Sequence, residues 1–599
     1  MSEDIKDRGQ LAGSQVTRRE ALRLTLAAGI SATAITLAVV DPAEAAGNVF
    51  LHGVASGDPK AFRVVIWTRI TRPDMDTGIH VKWSVAKDRQ MTQVVQSGKS
   101  YTSAWRDYTV KVDVEGLRPG QTYFYRFEVD GQFSPVGRTR TLPADGVQRL
   151  KFAVVSCSNY ELGYFNAYGE VAKHDDLNAV LHVGDYIYEY GPGPGGYTTP
   201  AAALGLVPKP RDSKLVPAEE IVLLDQYRAR HALYRTDANL KKLHRDNPFI
   251  NIWDDHEVAN DAWTRGAENH QPETEGSWQA RKKAGIRAFY EWLPIREPAD
   301  GKPIDPETHN PDDLYRTFDF GDLARLVMLD TRQAGRNKQL DATTLVGAYT
   351  GVPPQGPFPL DVQKDGTPRT LMGETQEAWF TKQIKNSTQT WQLIGNQVLM
   401  FYQNTPDIQG TSVLTAEQKT AFIALLDQLF GAGFGNQIVQ LGAAGLPFPL
   451  AADAWTGYPT ARIEMLNALA AAKNAIVLTG DSHNAWTANL KLPTATGPQP
   501  VAVEFGGTSI SSPGYEQYLL NVDPALVAEL FVDSSKRKSP ADKLIFAESS
   551  RRGFMLVDVT PTEVNVDHVF LSTVFQQTYT TETKRFRVRA GTRTAKPVA

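Results

Sequence analysis

Two hydrophobic rhythms divide the chain. From about Phe50 to Leu142, apolar and polar residues alternate in short stretches rich in β-branched and aromatic side chains. Examples are Arg63-Val64-Val65-Ile66-Trp67, Ile79-His80-Val81-Lys82-Trp83-Ser84-Val85 and Tyr108-Thr109-Val110-Lys111-Val112. Strands of this kind, separated by turn signals, predict an all-β sandwich. The string Leu117–Arg126 fits the corner before a late strand in fibronectin- and immunoglobulin-like sandwiches, where a tyrosine closes the turn. After Pro143-Ala144-Asp145-Gly146 the alternation stops, and continuous apolar runs take over at 152–156, 179–184, 249–253, 324–329, 391–395 and 475–480. Such runs read as strands buried on both faces. Helix-like stretches lie between several of them, at 163–174 and at 416–430 with Thr415 as N-cap, so the larger part of the chain is a layered α/β domain.

The predicted organisation is an N-terminal β-sandwich over 46–145, an α/β domain over 148–575, and a C-terminal tail over 576–599 whose basic end frays. Segments 191–220 and 334–370, rich in Gly and Pro, read as surface insertions. Residues 1–45 follow a third pattern. A polar start leads to Thr17-Arg18-Arg19-Glu20-Ala21-Leu22-Arg23, a charge-free stretch from Leu24 to Val40, and Ala43-Glu44-Ala45 as a cleavage site. This is the order of a secretory signal, and the twin arginines resemble a Tat signal, which exports folded proteins. The alternative is an uncleaved N-terminal anchor. Beyond residue 45 no apolar run approaches the roughly 20 residues that span a bilayer, so the mature protein is expected not to cross one. The expected location is secreted, periplasmic or associated with the cell wall, with the Tat machinery as partner of the precursor.

Composition changes this picture in two places. The charge is −4, from 63 basic and 67 acidic residues, which provides no basic field for nucleic acid, and no nucleic-acid-binding motif is present. There is a single cysteine, Cys157, so an exported chain would carry no intrachain disulfide. A lone thiol is either a buried hydrophobe or a ligand or nucleophile.

Its neighbours bear on that choice. Polar residues cluster just after the apolar strands, where open α/β sheets place their sites. One strand ends in Ser156-Cys157-Ser158 and another in Gly184-Asp185-Tyr186-Ile187-Tyr188. A third ends in Trp253-Asp254-Asp255-His256-Glu257, followed by Asn260 and Asp261, and the last in Gly480-Asp481-Ser482-His483-Asn484. Carboxylates converging on one sheet edge repel one another unless cations neutralise them, which points to a metal cluster. No Gly-rich phosphate loop is present, which excludes a P-loop NTPase.

The order of these motifs resembles the calcineurin-like metallophosphoesterases, with Asp481 in place of the first histidine of their GHxH motif. The wording SCSNYE, GDYIYEYG, WDDHEVANDAW, MLDTR and TGDSHNAW, with His52–Pro59 near the start of the β unit, is more closely similar to PhoD-type alkaline phosphatases. The resemblance implies a four-layer α/β metallophosphoesterase sandwich preceded by that family's N-terminal immunoglobulin- or fibronectin-like domain. It also implies an iron and calcium centre. Cys157, Asp185, Tyr188 and Asp481 would hold Fe(3+), and Asp185 would bridge to Ca(2+), held by Asp255 with Asn260. His256 would contact the phosphate or protonate the leaving group, and His483 would touch metal or phosphate. Arg235 reads either as a phosphate clamp or as a structural ion-pair partner. The implied activity is hydrolysis of phosphate monoesters, diesters or both by a metal-bound hydroxide. A phospholipase D-type diesterase is the enzymatic alternative, and a phosphate- or metal-binding protein without turnover the other.

Simpler roles stand beside these. Asp185 and Asp481 could cap helices, and His256 could be a core histidine. Tyr186 and Tyr190 read as packing residues, and Asp330 as a structural group holding an arginine. His52, His80, His270 and His309 read as surface or packing residues.

Overall fold

A computed structural model describes residues 48–598 except 73–77, 192–196, 198, 200, 202–204, 209, 212–213, 299–314, 341–366, 447, 449–450, 519–521 and 539–541. The predicted signal at 1–45, His309 and parts of both predicted insertions lie outside the described residues.

The N-terminal strands are Val54–Gly57 (β1), Val64–Arg69 (β2), Ile79–Ala86 (β3), Val94–Thr102 (β4), Thr109–Val114 (β5), Thr122–Val129 (β6), Gln132–Phe133 (β7) and Gly137–Arg140 (β8). β3, β4, β6, β7 and β8 form one sheet. Along β6 buried residues alternate with more exposed ones, as a strand with one face on a core requires. The Tyr123 hydroxyl accepts the Arg118 N–H at 2.9 Å, so the predicted tyrosine closes its corner.

The larger unit adds Leu150–Val155 (β9), Ala179–Val183 (β10), Pro248–Ile252 (β11), Arg316–Phe320 (β12), Ala324–Met328 (β13), Trp391–Gly395 (β14), Ala475–Thr479 (β15), Ala485–Leu492 (β16), Gln499–Gly506 (β17), Lys543–Glu548 (β18), Arg552–Val559 (β19), Glu563–Leu571 (β20), Thr581–Arg589 (β21) and Ala595–Val598 (β22). β9, β10 and β11 run parallel at the centre of a ten-stranded sheet. β13, β14, β15 and β17 run parallel in a seven-stranded one. All residues of β10, β11, β14 and β15 are buried, which explains their unbroken apolar runs. The two sheets face each other across a core that joins Phe152, Leu181 and Ile250 to Leu326, Leu393 and Ile476. Helices Asn166–Val171 (α1), Leu224–Tyr234 (α2), Ala238–Asp246 (α3) and Trp278–Trp292 (α4) cover one outer face. Glu374–Lys385 (α5), Ala416–Phe430 (α6), Phe434–Ala444 (α7), Pro459–Ala470 (α8) and Pro524–Lys538 (α9) cover the other. The architecture is a four-layer α/β sandwich. Thr415 caps α6 as predicted, in a capping box with Gln418.

Two boundaries differ from expectation. β1 pairs in parallel with β11, and β2 and β5 follow it, so three of the eight N-terminal strands extend the ten-stranded sheet. Trp67 and Ala55 pack on Trp292 and Ala232 across this seam, and the Trp67 indole N–H donates to the Glu291 carbonyl at 2.8 Å. The C-terminal segment is not a frayed tail. β21 pairs with β20 along its whole length and β22 with β21, burying Phe586 and Val588 at alternate positions beneath an otherwise charged strand.

Candidate active site

The site lies where β9, β10, β11, β13 and β15 end. Each strand turns out of its sheet abruptly. Cys157, Asp185 and Asp481, with His483, sit in the left-handed region at φ between 56° and 60°, which costs a residue with a Cβ roughly 1–2 kcal/mol. Strain of this kind collects where a fold fixes functional side chains. The glycine before Asp185 has a steric reason as well: a Cβ on Gly184 would lie 2.4 Å from that of Asp254.

Three overlapping groups of donors result, each with one ligand atom per residue within 4.8 Å of the others: Cys157, Asp185 and His483; Asp185, Asp255 and His256; and Asp254, Asp255 and Asp481. Tyr188 joins the first. Its hydroxyl donates to Asp185 Oδ2 at 2.9 Å, lies 3.2 Å from His483 Nε2, and accepts from Ser512 at 2.7 Å. The Pro513 carbonyl accepts His483 Nδ1–H at 2.8 Å, which leaves Nε2 with its lone pair. Burial pushes the His483 imidazole down to about 3, so it is neutral.

Charge in this cluster is poorly compensated. Burial, then the neighbouring Asp185 carboxylate, holds the Cys157 thiol well above its ordinary range. Burial likewise raises Asp185, where His256 opposes the shift and Asp255 adds to it. Buried oxygens Asp185 Oδ1 and Asp254 Oδ2 have no hydrogen-bond donor. A buried anion without donor or cation is costly, so these atoms fit metal ligation.

The internal cation is Arg332. Its side chain has no exposed surface, and it donates to Asp254 at 2.5 Å and to Asp481 at 2.9 Å. Asp453 and Asp255 lie 3.2 and 3.8 Å away. On the other flank, His256 stacks on Tyr188 at 4.1 Å, and its Nδ1 pairs with Glu189 at 2.7 Å. Burial alone would lower the His256 pKa, but Glu189, Asp255 and Asp185 raise it well above the ordinary value. Glu189 is held in turn by the Asn260 backbone N–H and the Asn269 side chain. Glu257, whose pKa burial lifts to about 8, ties the two loops together by accepting from the N–H groups of Tyr186 and Asp254.

Residues 152–568 match the PhoD-like phosphatase family, and residues 34–143 match the N-terminal domain of PhoD-like phosphatases. The chain is 33% identical over 522 residues to alkaline phosphatase D of Bacillus subtilis (strain 168), which covers 85% of this chain and 76% of that protein. The chain belongs to the PhoD-like phosphatase family. A solved structure of PhoD agrees, with a TM-score of 0.70 and 30% identity over 92% of each chain. This PhoD-like phosphatase is therefore a phosphoric ester hydrolase, and its substrate is a phosphate ester.

Within the PhoD-like phosphatase site, Cys157, Asp185, Tyr188, Asp255, His256, Asp481 and His483 come together. Asp481 falls in the oxygen-only group with Asp254 and Asp255, whereas the sequence reading grouped it with Cys157. The Asn260 side-chain amide turns to Glu268 at 2.7 Å, so its contact with the site runs through its backbone N–H. Arg235 is no phosphate clamp. Its guanidinium is fully buried, lies over the Trp67 ring at 4.6 Å and donates to the His52 carbonyl, inside the seam with the N-terminal strands. Sequence reasoning passed over Glu189 and Arg332, although both stand inside the motif strings GDYIYEYG and MLDTR. Asp330 accepts the backbone N–H groups of Arg332 and Gln333 at 2.9 and 2.8 Å, so it fixes the turn, while the Arg332 guanidinium goes to Asp254 and Asp481. Asp453 carries no signal in its sequence surroundings.

Proposed function

We propose that this phosphoesterase is an exported enzyme that uses iron and calcium to hydrolyse phosphate monoesters, diesters or both. The observation that carries the metal reading is the set of buried carboxylates around Asp185, with Asp185 Oδ1 and Asp254 Oδ2 lacking any donor. Cys157, Asp185 and Tyr188, with His483 in reach, offer the anionic and soft donors that suit Fe(3+). Asp254, Asp255 and Asp481 offer oxygens alone, which suits Ca(2+). The cations, when bound, supply water activation and charge neutralisation at the phosphate. The chain's own groups do the rest. Glu189 fixes one nitrogen of His256 and so leaves the other to hold a proton for the leaving oxygen. Arg332 keeps Asp254 and Asp481 fixed in one arrangement.

Export rests on Arg18-Arg19, the charge-free stretch 24–40 and Ala43-Glu44-Ala45. The deciding experiment compares hydrolysis of p-nitrophenyl phosphate and bis-p-nitrophenyl phosphate with calcium and with chelator, alongside metal analysis of the purified protein. Iron in the protein and calcium-dependent cleavage are expected, and the ratio of the two rates chooses monoesterase or diesterase. Full activity in protein stripped of both metals would refute the metal assignment.

A further inference from the structure

Away from the catalytic cluster, a cavity of about 590 Å³ opens where the N-terminal strands, the segment after α4 and the second sheet meet. Its volume falls within the 300–1,000 Å³ range of small-molecule sites, and none of its lining residues belongs to the cluster. Five cationic side chains line it against two carboxylates.

Those carboxylates are already shared. Asp113 accepts both nitrogens of an Arg296 fork at 2.8 and 2.9 Å and lies 3.2 Å from Arg63. Glu297 lies between Lys111 and Arg106. At the surface Glu115 pairs with Arg63 at 3.1 Å, and behind the wall Asp58 stands 3.2 Å from Arg316. Lys60 has no carboxylate within salt-bridge distance among the described residues, and Arg316 keeps donor capacity beyond its bond to Asp58. Lys60 donates to the Thr317 carbonyl at 2.8 Å and sits 4.6 Å over the Phe318 ring. Arg316, only 9% exposed, gives Nη2 to the Asn251 carbonyl at 2.6 Å while its Nε is buried without a partner. Burial pushes the Lys60 amine down to about 8, with Asp58 and Asp319 opposing the shift and Arg296 and Arg316 adding to it. An anion among these groups would relieve that crowding. The remaining wall sets Val65, Phe318 and Trp379 beside the polar Thr317 and Gln383.

We propose that this cavity is a second ligand site that binds an organic phosphate or phosphonate, its dianionic head among Lys60, Arg63 and Arg316 and its apolar part on the half-buried Trp379. Guanidinium and ammonium donors from several directions match the three oxygens of a phosphoryl head better than a single carboxylate. None of its lining residues belongs to a metal-ligand group, so its ligand is bound there apart from the hydrolytic centre.

The test uses phenylphosphonate, whose C–P bond resists phosphatases, titrated calorimetrically into the full chain after chelator has stripped the cluster. Saturable single-site binding is expected. Lys60→Gln and Arg63→Glu should each weaken it about tenfold or more while p-nitrophenyl phosphate hydrolysis by the metal-loaded variants stays unchanged. Inorganic phosphate should bind about tenfold more weakly, lacking the apolar part. Should Lys60→Gln fail to fold, Arg63→Glu, whose side chain is 41% exposed, carries the comparison. The proposal is overturned by absence of saturable binding, or by binding that both variants leave intact. Equal affinity for inorganic phosphate, or loss of binding in Asp255→Asn instead, would overturn it as well.

Discussion

At the scale of single residues, the site owes its shape to side chains held in backbone conformations they disfavour. Cys157 combines two roles that substitution can separate, a donor atom and a left-handed turn. Cys157→Ala and Cys157→Gly should both lose iron by metal analysis and drop in activity by more than about tenfold. The glycine variant should nonetheless be the more stable in denaturant titration, by up to about 1 kcal/mol, because only alanine keeps the Cβ conflict. Normal iron in either variant would exclude Cys157 as a ligand. Arg332 makes a different prediction. Removing a cation from among buried carboxylates leaves them uncompensated, so Arg332→Gln should lose about 3 kcal/mol. Calcium should raise the melting temperature of that variant more than that of the parent, since it neutralises the same oxygens.

At the scale of elements, buried strands were legible wherever burial on both faces made the pattern continuous. The runs at 179–184, 391–395 and 475–480 became β10, β14 and β15 within a residue. The helix expected over 163–174 is shorter, Asn166–Val171, because the Tyr164 N–H is taken by the Val574 carbonyl before it and the chain turns at 172–173 after it. β21 was illegible: exposed along most of its length, it reads as a charged tail, and only its pairing with β20 makes it a strand. Site residues were legible where they end a strand and illegible where they act through a partner. Arg235 has the composition of a clamp, but the tryptophan that covers it lies far away in sequence, at Trp67. The segment after α4 carries a prediction of its own. Burial would raise the Glu297 carboxyl, but Lys111 and Arg106 overcome this and hold it at about 2, below its ordinary 4.5. A depressed folded-state pKa stabilises above the unfolded value, and that contribution fades as pH falls from about 4.5 toward 2. Glu297→Gln should therefore lower the melting temperature near neutral pH, and the difference from the parent should close over that acid range. A difference independent of pH would refute the ion pairing.

At the scale of the whole molecule, the sandwich predicted as a separate domain shares a sheet with the α/β unit through β1 and β11. Calorimetry should show one cooperative transition for the two, and deletion of residues 48–145 should yield no folded protein, since it bares the edge of β11 and uncovers Trp292. Two separate transitions would contradict this.

The ten-stranded sheet has a further consequence in time. It joins Val54–Gly57 to Pro248–Ile252 and Leu150–Val155 to Arg552–Val559, and it ends on Ala595–Val598. Contacts so distant along the chain must wait for late loop closures, which slows folding. A nascent chain still on the ribosome has β10 on one side of β9 but lacks β19 on the other, so the ten-stranded sheet closes only after synthesis is nearly over. Until then its apolar strand edges stay open, and the chain depends on being kept from its neighbours while it matures.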